Sequence, residues 1–340
     1  MVLKNQRSTS QQSTNQRSTN QRSTSQRSTN QREEVNIKYR KIGNSDINAS
    51  SVCLGSWVFG GDVWGEVDDE VSLRVMEEAV EKGVNLIDTA PVYGYGRAEE
   101  VIGRFLSEKK DKVMIATKCG LEGKGTALRP NLSAKFIREE VENSLRRLNV
   151  EAIDLYQCHW PDPNTPLQET FAQMKKLTCE GKIKHIGVCN FGKEALSSAC
   201  SIAPVISNQV QYSLLDREIE KELIPFCEEK NISILSYGVL GGGVLSGKYK
   251  APLAFSKGDV KSFFYKYYKG SGWDKAQRIV EVLEEISARR KVPASQAAIN
   301  WVLSRRQVAS CIVGCRTPQQ LEQNAGAADW ELTAEEIAKI

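Results

Sequence analysis

Four side chains of this 340-residue chain could share one piece of acid–base chemistry. Asp88 closes the run LID, Tyr93 lies shortly beyond it, Lys118 ends MIATK, and His159 follows LYQC. A carboxylate and an ammonium can neutralise each other where neither would tolerate burial alone. A phenol beside that ammonium is expected to have its pKa lowered, which makes Tyr93 a candidate general acid toward an oxygen that is gathering negative charge. An imidazole such as His159 can orient that oxygen by hydrogen bonding. Taken singly these residues carry little weight. A strand-end Asp more often caps a helix, a strand-end Lys more often sits solvated on a rim, and a lone His is more often a satisfied neighbour. Only their joint placement creates the chemistry, so the question becomes which elements could bring them together.

From Tyr39 onward, short apolar or β-branched runs alternate with longer segments of helical period, the pattern of a parallel sheet built from βα units. Strands are expected near Ser51–Gly55, Asn85–Asp88, Val113–Lys118, Ile153–Cys158, His185–Val188, Ser207–Val210, Ile232–Tyr237 and Ala309–Val313. Amphipathic helices are expected over Glu70–Lys82, Ser133–Leu148, Leu167–Glu180 and Arg217–Lys230, several followed at once by Gly or Asn as a stop. Such a series predicts an α/β fold closed as a (β/α)8 TIM barrel, in which polar groups at the C-terminal strand ends converge on one mouth. A doubly wound dinucleotide-binding sheet would want a GxGxxG turn after its first strand, and none follows Val52–Gly55. His185 opens its strand and is expected at the opposite, stabilising end. Between the last two strands the chain spends over seventy residues, including an aromatic, lysine-rich stretch from Phe263 to Trp273, length that would suit a lid or binding loop. Gly242–Lys248 approximates a phosphate-loop pattern, but Tyr249 stands where a Ser or Thr should reach magnesium, so ATP is not expected.

Composition narrows the class. Hydrophobic residues make up 40% of the chain and charged residues 26%, and no apolar run approaches the ~18 residues of a membrane span. Nine scattered cysteines without a CxxC pair or nearby histidines argue against a disulfide framework or a zinc site, and point to a reducing, cytoplasmic setting. Residues 1–32 hold six cations and no carboxylate, and removing those from a net charge of +4 leaves about −2 on the rest. The barrel therefore has no electrostatic reason to bind nucleic acid. Residues 1–36 repeat a QRST-like unit with almost nothing apolar, and are expected to form a disordered low-complexity tail rather than a transit peptide. Residues 37–340 would form the barrel.

LIDTAPVYGYGRAEEVIG, VMIATKCG, IDLYQCHWPDP, GKIKHIGVCNF, SNQVQYSLLDR and VGCRTPQQLEQN, in this order, resemble the aldo-keto reductase superfamily, and most closely its bacterial general-stress branch. The resemblance covers Tyr39 to the C-terminus. It implies NADPH-dependent reduction of small-molecule carbonyls, with NADH possible, on a barrel lacking a Rossmann domain. It places the family's tetrad on Asp88, Tyr93, Lys118 and His159. It also implies that Asn190 and Gln209 hold the nicotinamide carboxamide and that Tyr237 stacks on its ring. Gly314, Arg316, Gln320, Gln323 and Asn324 match the adenosine end, with Arg316 and Gln320 toward the 2′-phosphate. Trp57 and Trp160 are candidates for the substrate pocket, with Trp64, Tyr95, Phe263 and Trp273 as further aromatic candidates.

The chain departs from the family pattern in places. Cys189 stands where a Ser is usual, Gln323 replaces a frequent Glu, and Gln320 replaces a basic residue of some branches. The sequence stops at Ile340 within the family's last helix, which bears on substrate selectivity but not on the tetrad. Two other readings stand beside a reductase: a cofactor-binding regulatory subunit with slow or no turnover, and a barrel aldolase using Lys118 as a Schiff-base lysine.

Overall fold

The computed structural model describes residues 36–61, 65–109, 112–253 and 266–340. The repeat tail over residues 1–35, and with it Trp64 and Phe263, lies outside them. Eight parallel strands close into a barrel: β1 (Val52–Gly55), β2 (Leu86–Asp88), β3 (Met114–Cys119), β4 (Ile153–Cys158), β5 (Ile183–Cys189), β6 (Val205–Gln211), β7 (Ser233–Tyr237) and β8 (Val308–Gly314). Each pairs in parallel with its neighbour in sequence, and β8 closes on β1 through Ile312 opposite Cys53. These are the eight strands read from the sequence, shifted by a few residues at their ends.

Strand period explains how an apolar run can end in a charge. In β2, Leu86 faces the interior, Ile87 the surrounding helices and Asp88 the interior again, because successive side chains point to opposite faces. In β3, Ala116 and Lys118 stand in the same relation. Cys53, Leu86, Ala116, Leu155, Leu235 and Ile312 fill the lower barrel. An antiparallel hairpin (Tyr39–Lys41 with Asn48–Ser50) delivers Ile42, Ile47 and Ala49 against that cluster, so apolar side chains plug the N-terminal end. The polar layer then occupies the other end.

The helices ring the barrel: α1 (Asp69–Glu81), α2 (Arg97–Lys109), α3 (Ala134–Leu148), α4 (Leu167–Cys179), α5 (Lys193–Ile202), α6 (Leu223–Glu229), α7 (Gly270–Arg290), α8 (Ala294–Leu303), α9 (Pro318–Ala325) and α10 (Ala334–Lys339). Asp68 caps α1 by accepting from the Glu70 N–H, Ser133 caps α3, and Asn149 in the left-handed region stops α3. One expected helix is corrected. Arg217–Lys230 is not continuous but a 3-10 turn at Glu218–Glu220 followed by α6. Pro225 is the reason: its ring tolerates only the first turn of a helix, so α6 must begin close to it. The long interval before β8 is also corrected, since α7 and α8 fill most of its described part. Trp273 is buried in α7, stacked near Tyr268 at 6.4 Å, and is a packing residue rather than a pocket wall. His185 accepts or donates at 2.6 Å to Asp46 near the N-terminal end of β5, away from the mouth, as its position in the sequence suggested.

Behind β3, Thr117 donates to Glu99 at 2.7 Å, and the Arg147 Nε donates to the same carboxylate at 2.7 Å. This ties α2 and α3 to the strand that carries Lys118. The helices cross so closely that a Cβ on Gly103 would lie 2.1 Å from the Arg147 carbonyl oxygen. Replacing Gly103 by Ala is expected to destabilise the fold by about 1–3 kcal/mol through overpacking. Urea unfolding checks this, and an unchanged midpoint would rule out the crossing.

Candidate active site

Lys118 and Asp88 leave water together, with side chains 1% and 4% exposed and Nζ 2.7 Å from Oδ2. The ammonium also reaches Asp88 Oδ1 at 2.9 Å, the Thr89 carbonyl at 2.8 Å and the Tyr93 hydroxyl at 3.2 Å. Three protons cover the carboxylate, the carbonyl and the phenol oxygen, so the group is saturated. Asp88 and Tyr93 raise the Lys118 pKa and outweigh the burial that lowers it. A lysine held as ammonium in this way is no nucleophile, which sets aside the Schiff-base reading.

Tyr93 opens the tight turn Tyr93–Gly96, which leads directly into α2. Gly94 has φ +61°, and a Cβ there would lie 2.2 Å from the Gly60 carbonyl oxygen. Only glycine lets the two loops approach this closely, and the approach sets Trp57 against Tyr93, ring centroids 5.9 Å apart and 24° from parallel. The expectation of a lowered phenol pKa is corrected. Lys118 does pull it down, but burial outweighs that and the group is pushed up to about 12. Tyr93 therefore keeps its proton at neutral pH. Its oxygen accepts from Lys118, and its own hydrogen has no acceptor among the described residues.

His159 lies edge-on to Tyr93, with centroids 6.2 Å apart at 83°. The ring is half-buried and has no side-chain hydrogen-bond partner among the described residues. Burial, with Lys118 adding to it, lowers its pKa well below the ordinary value, so the imidazole is neutral. The four tetrad candidates thus meet at one mouth.

Three of the expected cofactor residues border them. Gln209 donates to Asp88 Oδ1 at 2.7 Å, the Asn190 amide donates to the His159 carbonyl at 3.1 Å, and the Tyr237 hydroxyl donates to Asn190 Oδ1 at 2.9 Å. Cys189 is buried beside this group. The adenosine-end candidates form a second cluster where β8 runs into α9. Gly314 and Arg316 are exposed, and Thr317 caps α9. Gln320 folds back so that its Oε1 accepts from the Arg316 backbone N–H at 2.7 Å. Gln323 is exposed, whereas Asn324 is buried and donates to Cys315 Sγ at 3.5 Å. Trp57 adjoins the tetrad, while Trp160 is 40% exposed. Two contributors escape a reading of residue types: the Thr89 carbonyl, which is backbone, and the Gly60–Gly94 approach, which joins distant segments. The doubled glycines of YGYG are the only local hint of the latter.

The pH dependence of stability follows from the imidazole. Unfolded, His159 takes a proton below its ordinary 6.5, whereas folded it does not, so stability is lost as pH falls through that value. Glu140, pushed up to about 8 by burial, acts with the opposite sign over part of the same range, so only a comparison isolates His159. Urea midpoints from pH 7.5 to 5 should show a steeper acid-side loss in the wild type than in His159→Phe, by at most about 1.4 kcal/mol per pH unit. Equal slopes would mean that the ring is protonated in the folded state.

Comparison with known proteins gives a concordant result. The sequence profile described as the Aldo/keto reductase family matches residues 51–340. The chain is 36% identical over 306 residues to the aldo-keto reductase YhdN of Bacillus subtilis, covering 89% of this chain and 92% of that one. It is 32% identical over 311 residues to the NADH-specific methylglyoxal reductase of Escherichia coli, covering 86% and 94%. Among solved structures, the glycerol dehydrogenase AKR11B4 of Gluconobacter oxydans superposes with a TM-score of 0.81 at 38% identity, covering 88% of this chain and 92% of that one.

Proposed function

The chain belongs to the aldo/keto reductase family, and from that premise we propose that this oxidoreductase reduces aldehydes and ketones to alcohols with NADPH, Tyr93 acting as general acid. The observation that carries this reading is the phenol itself: its oxygen accepts from Lys118 at 3.2 Å, its proton is retained, and that proton has no competing acceptor among the described residues.

The donor set fits a nicotinamide dinucleotide. Two side-chain amides, Asn190 and Gln209, and the Tyr237 ring stand at the mouth beside the tetrad, suited to a carboxamide and an aromatic ring. An exposed guanidinium, Arg316, precedes the N-terminus of α9, suited to a phosphate through its planar fork and the helix dipole. When bound, the cofactor supplies the hydride. The chain's residues do the rest. His159 donates to the substrate oxygen and orients it. Tyr93 gives that oxygen its proton as negative charge builds. The Lys118 ammonium stabilises the phenolate left behind, and Asp88 keeps the ammonium charged in a site where burial alone would discharge it. Trp57, stacked on Tyr93, limits the approach to small carbonyl compounds, and Trp160 stands at the rim.

Tyr93→Phe keeps the ring and its stacking but removes the proton. Its turnover with methylglyoxal and NADPH is expected to fall at least about 100-fold, with cofactor affinity retained. Unchanged turnover would reject Tyr93 as the acid. The relative from Escherichia coli is named for NADH, so the choice of NADPH rests on Arg316. Arg316→Gln should weaken NADPH binding about tenfold and leave NADH binding unaltered, measured by fluorescence titration. Equal losses for both cofactors would remove the 2′-phosphate contact.

A further inference from the structure

The end of the barrel opposite the tetrad holds a cleft of about 320 Å³, lined chiefly by Arg40, Lys41, Arg306, Asn231, Gln307 and Glu228. It also borders Ser233, the first residue of β7, whose hydroxyl accepts from the Gly43 N–H at 2.8 Å and so fixes the N-terminal hairpin to the barrel rim.

The charges there do not balance. Arg40 is half-buried and tethered by Nη1 to the Val308 carbonyl at 2.7 Å. Desolvation by that burial lowers its pKa, and the Glu331 carboxylate offsets this only in part. Lys41 and Arg306 are exposed, and neither side chain has a hydrogen bond or ion pair among the described residues. Among the described residues Glu228 is the single carboxylate in the lining, and Glu331, which also attracts Arg40, is bonded to Lys38 at 2.7 Å. Three cationic residues from two separate segments therefore line a concave wall together with one carboxylate, a shape that concentrates the field of the excess charge.

Size and sign select the occupant. The volume is at the small end of ligand sites, roughly 300–1,000 Å³, which excludes a dinucleotide and admits a compact metabolite. The excess of two positive charges matches a dianion. Two guanidiniums offer planar forks that bond pairs of phosphoryl oxygens, with Lys41 as a point charge and the Asn231 amide as a neutral donor. A nucleic-acid backbone would need a longer basic stripe than three side chains provide. We propose that this cleft is a second ligand site, separate from the reductase mouth, that binds a small molecule bearing a phosphate dianion.

Calorimetric titration with pyrophosphate of the full chain held saturated with NADPH, so that the phosphate contact at Arg316 is filled, tests the assignment. Saturable binding is expected, weakened about tenfold by Lys41→Gln and by Arg306→Gln singly and abolished in the double variant. Glu228→Gln should tighten it. Arg316→Gln, which alters the other candidate phosphate contact at α9, should leave it unchanged. Lys41 and Arg306 are exposed, so the melting temperature of both variants should match the wild type and confirm that they fold. No saturable binding by the wild type, equal affinity in the double variant, or loss of binding on Arg316→Gln alone would each overturn the proposal.

Discussion

Lys118 and Asp88 are almost wholly removed from water, and the carboxylate is what keeps the lysine ammonium charged at that depth. An isolated ammonium at that depth would give up its proton, and an isolated carboxylate would take one. Together they hold both charges, at the risk that losing either partner costs about 3–5 kcal/mol. Their adjacency is a product of barrel closure, because β2 and β3 run side by side in parallel and present Asp88 and Lys118 to the same interior. Thr89 and Tyr93 then take the remaining donors of the ammonium. The position of the phenol is thus a consequence of satisfying a buried cation.

The same burial governs the two neutral groups at the mouth. It raises the phenol of Tyr93 and lowers the imidazole of His159, so at neutral pH both are uncharged beside a fixed ion pair. That division is chemically useful. A neutral phenol still has a proton to give, and a neutral imidazole can donate a hydrogen bond without adding a second cation next to Lys118. In the proposed reaction the ammonium favours the phenolate only once the proton has left, so its effect is felt most in the transition state.

The two ends of the barrel are built on different terms. At the base, the Tyr39–Ser50 hairpin closes the interior with Ile42, Ile47 and Ala49, leaving polar residues only at the rim. At the mouth, polar groups enter the barrel itself, and they are held by contacts on the outer face: Glu99 joins Thr117 of β3 to Arg147 of α3. That contact secures the strand carrying Lys118 from behind.

Much of this was legible in the chain before folding is considered. Strands buried on both faces need near-continuous apolar runs, so LID, MIATK and LYQCH stood out, and the charges that end them marked the mouth. The stop at Asn149 is a local signal, whereas Ser133, expected inside the helix, proves to be its N-cap. Burial depth, by contrast, is a sum over the whole fold. The sign of the Tyr93 shift was missed because the neighbouring cation is visible in sequence while the desolvation that outweighs it is not. Trp273 was taken for a pocket residue because nothing local distinguishes a rim aromatic from one packed under a helix. The order of residues determined which elements form and which side chains end them. Tertiary structure alone decided how deeply those side chains sit, which backbone groups meet them, and that cations from separate segments collect at the far end, because each of these depends on distances between parts of the chain that have no connection in sequence.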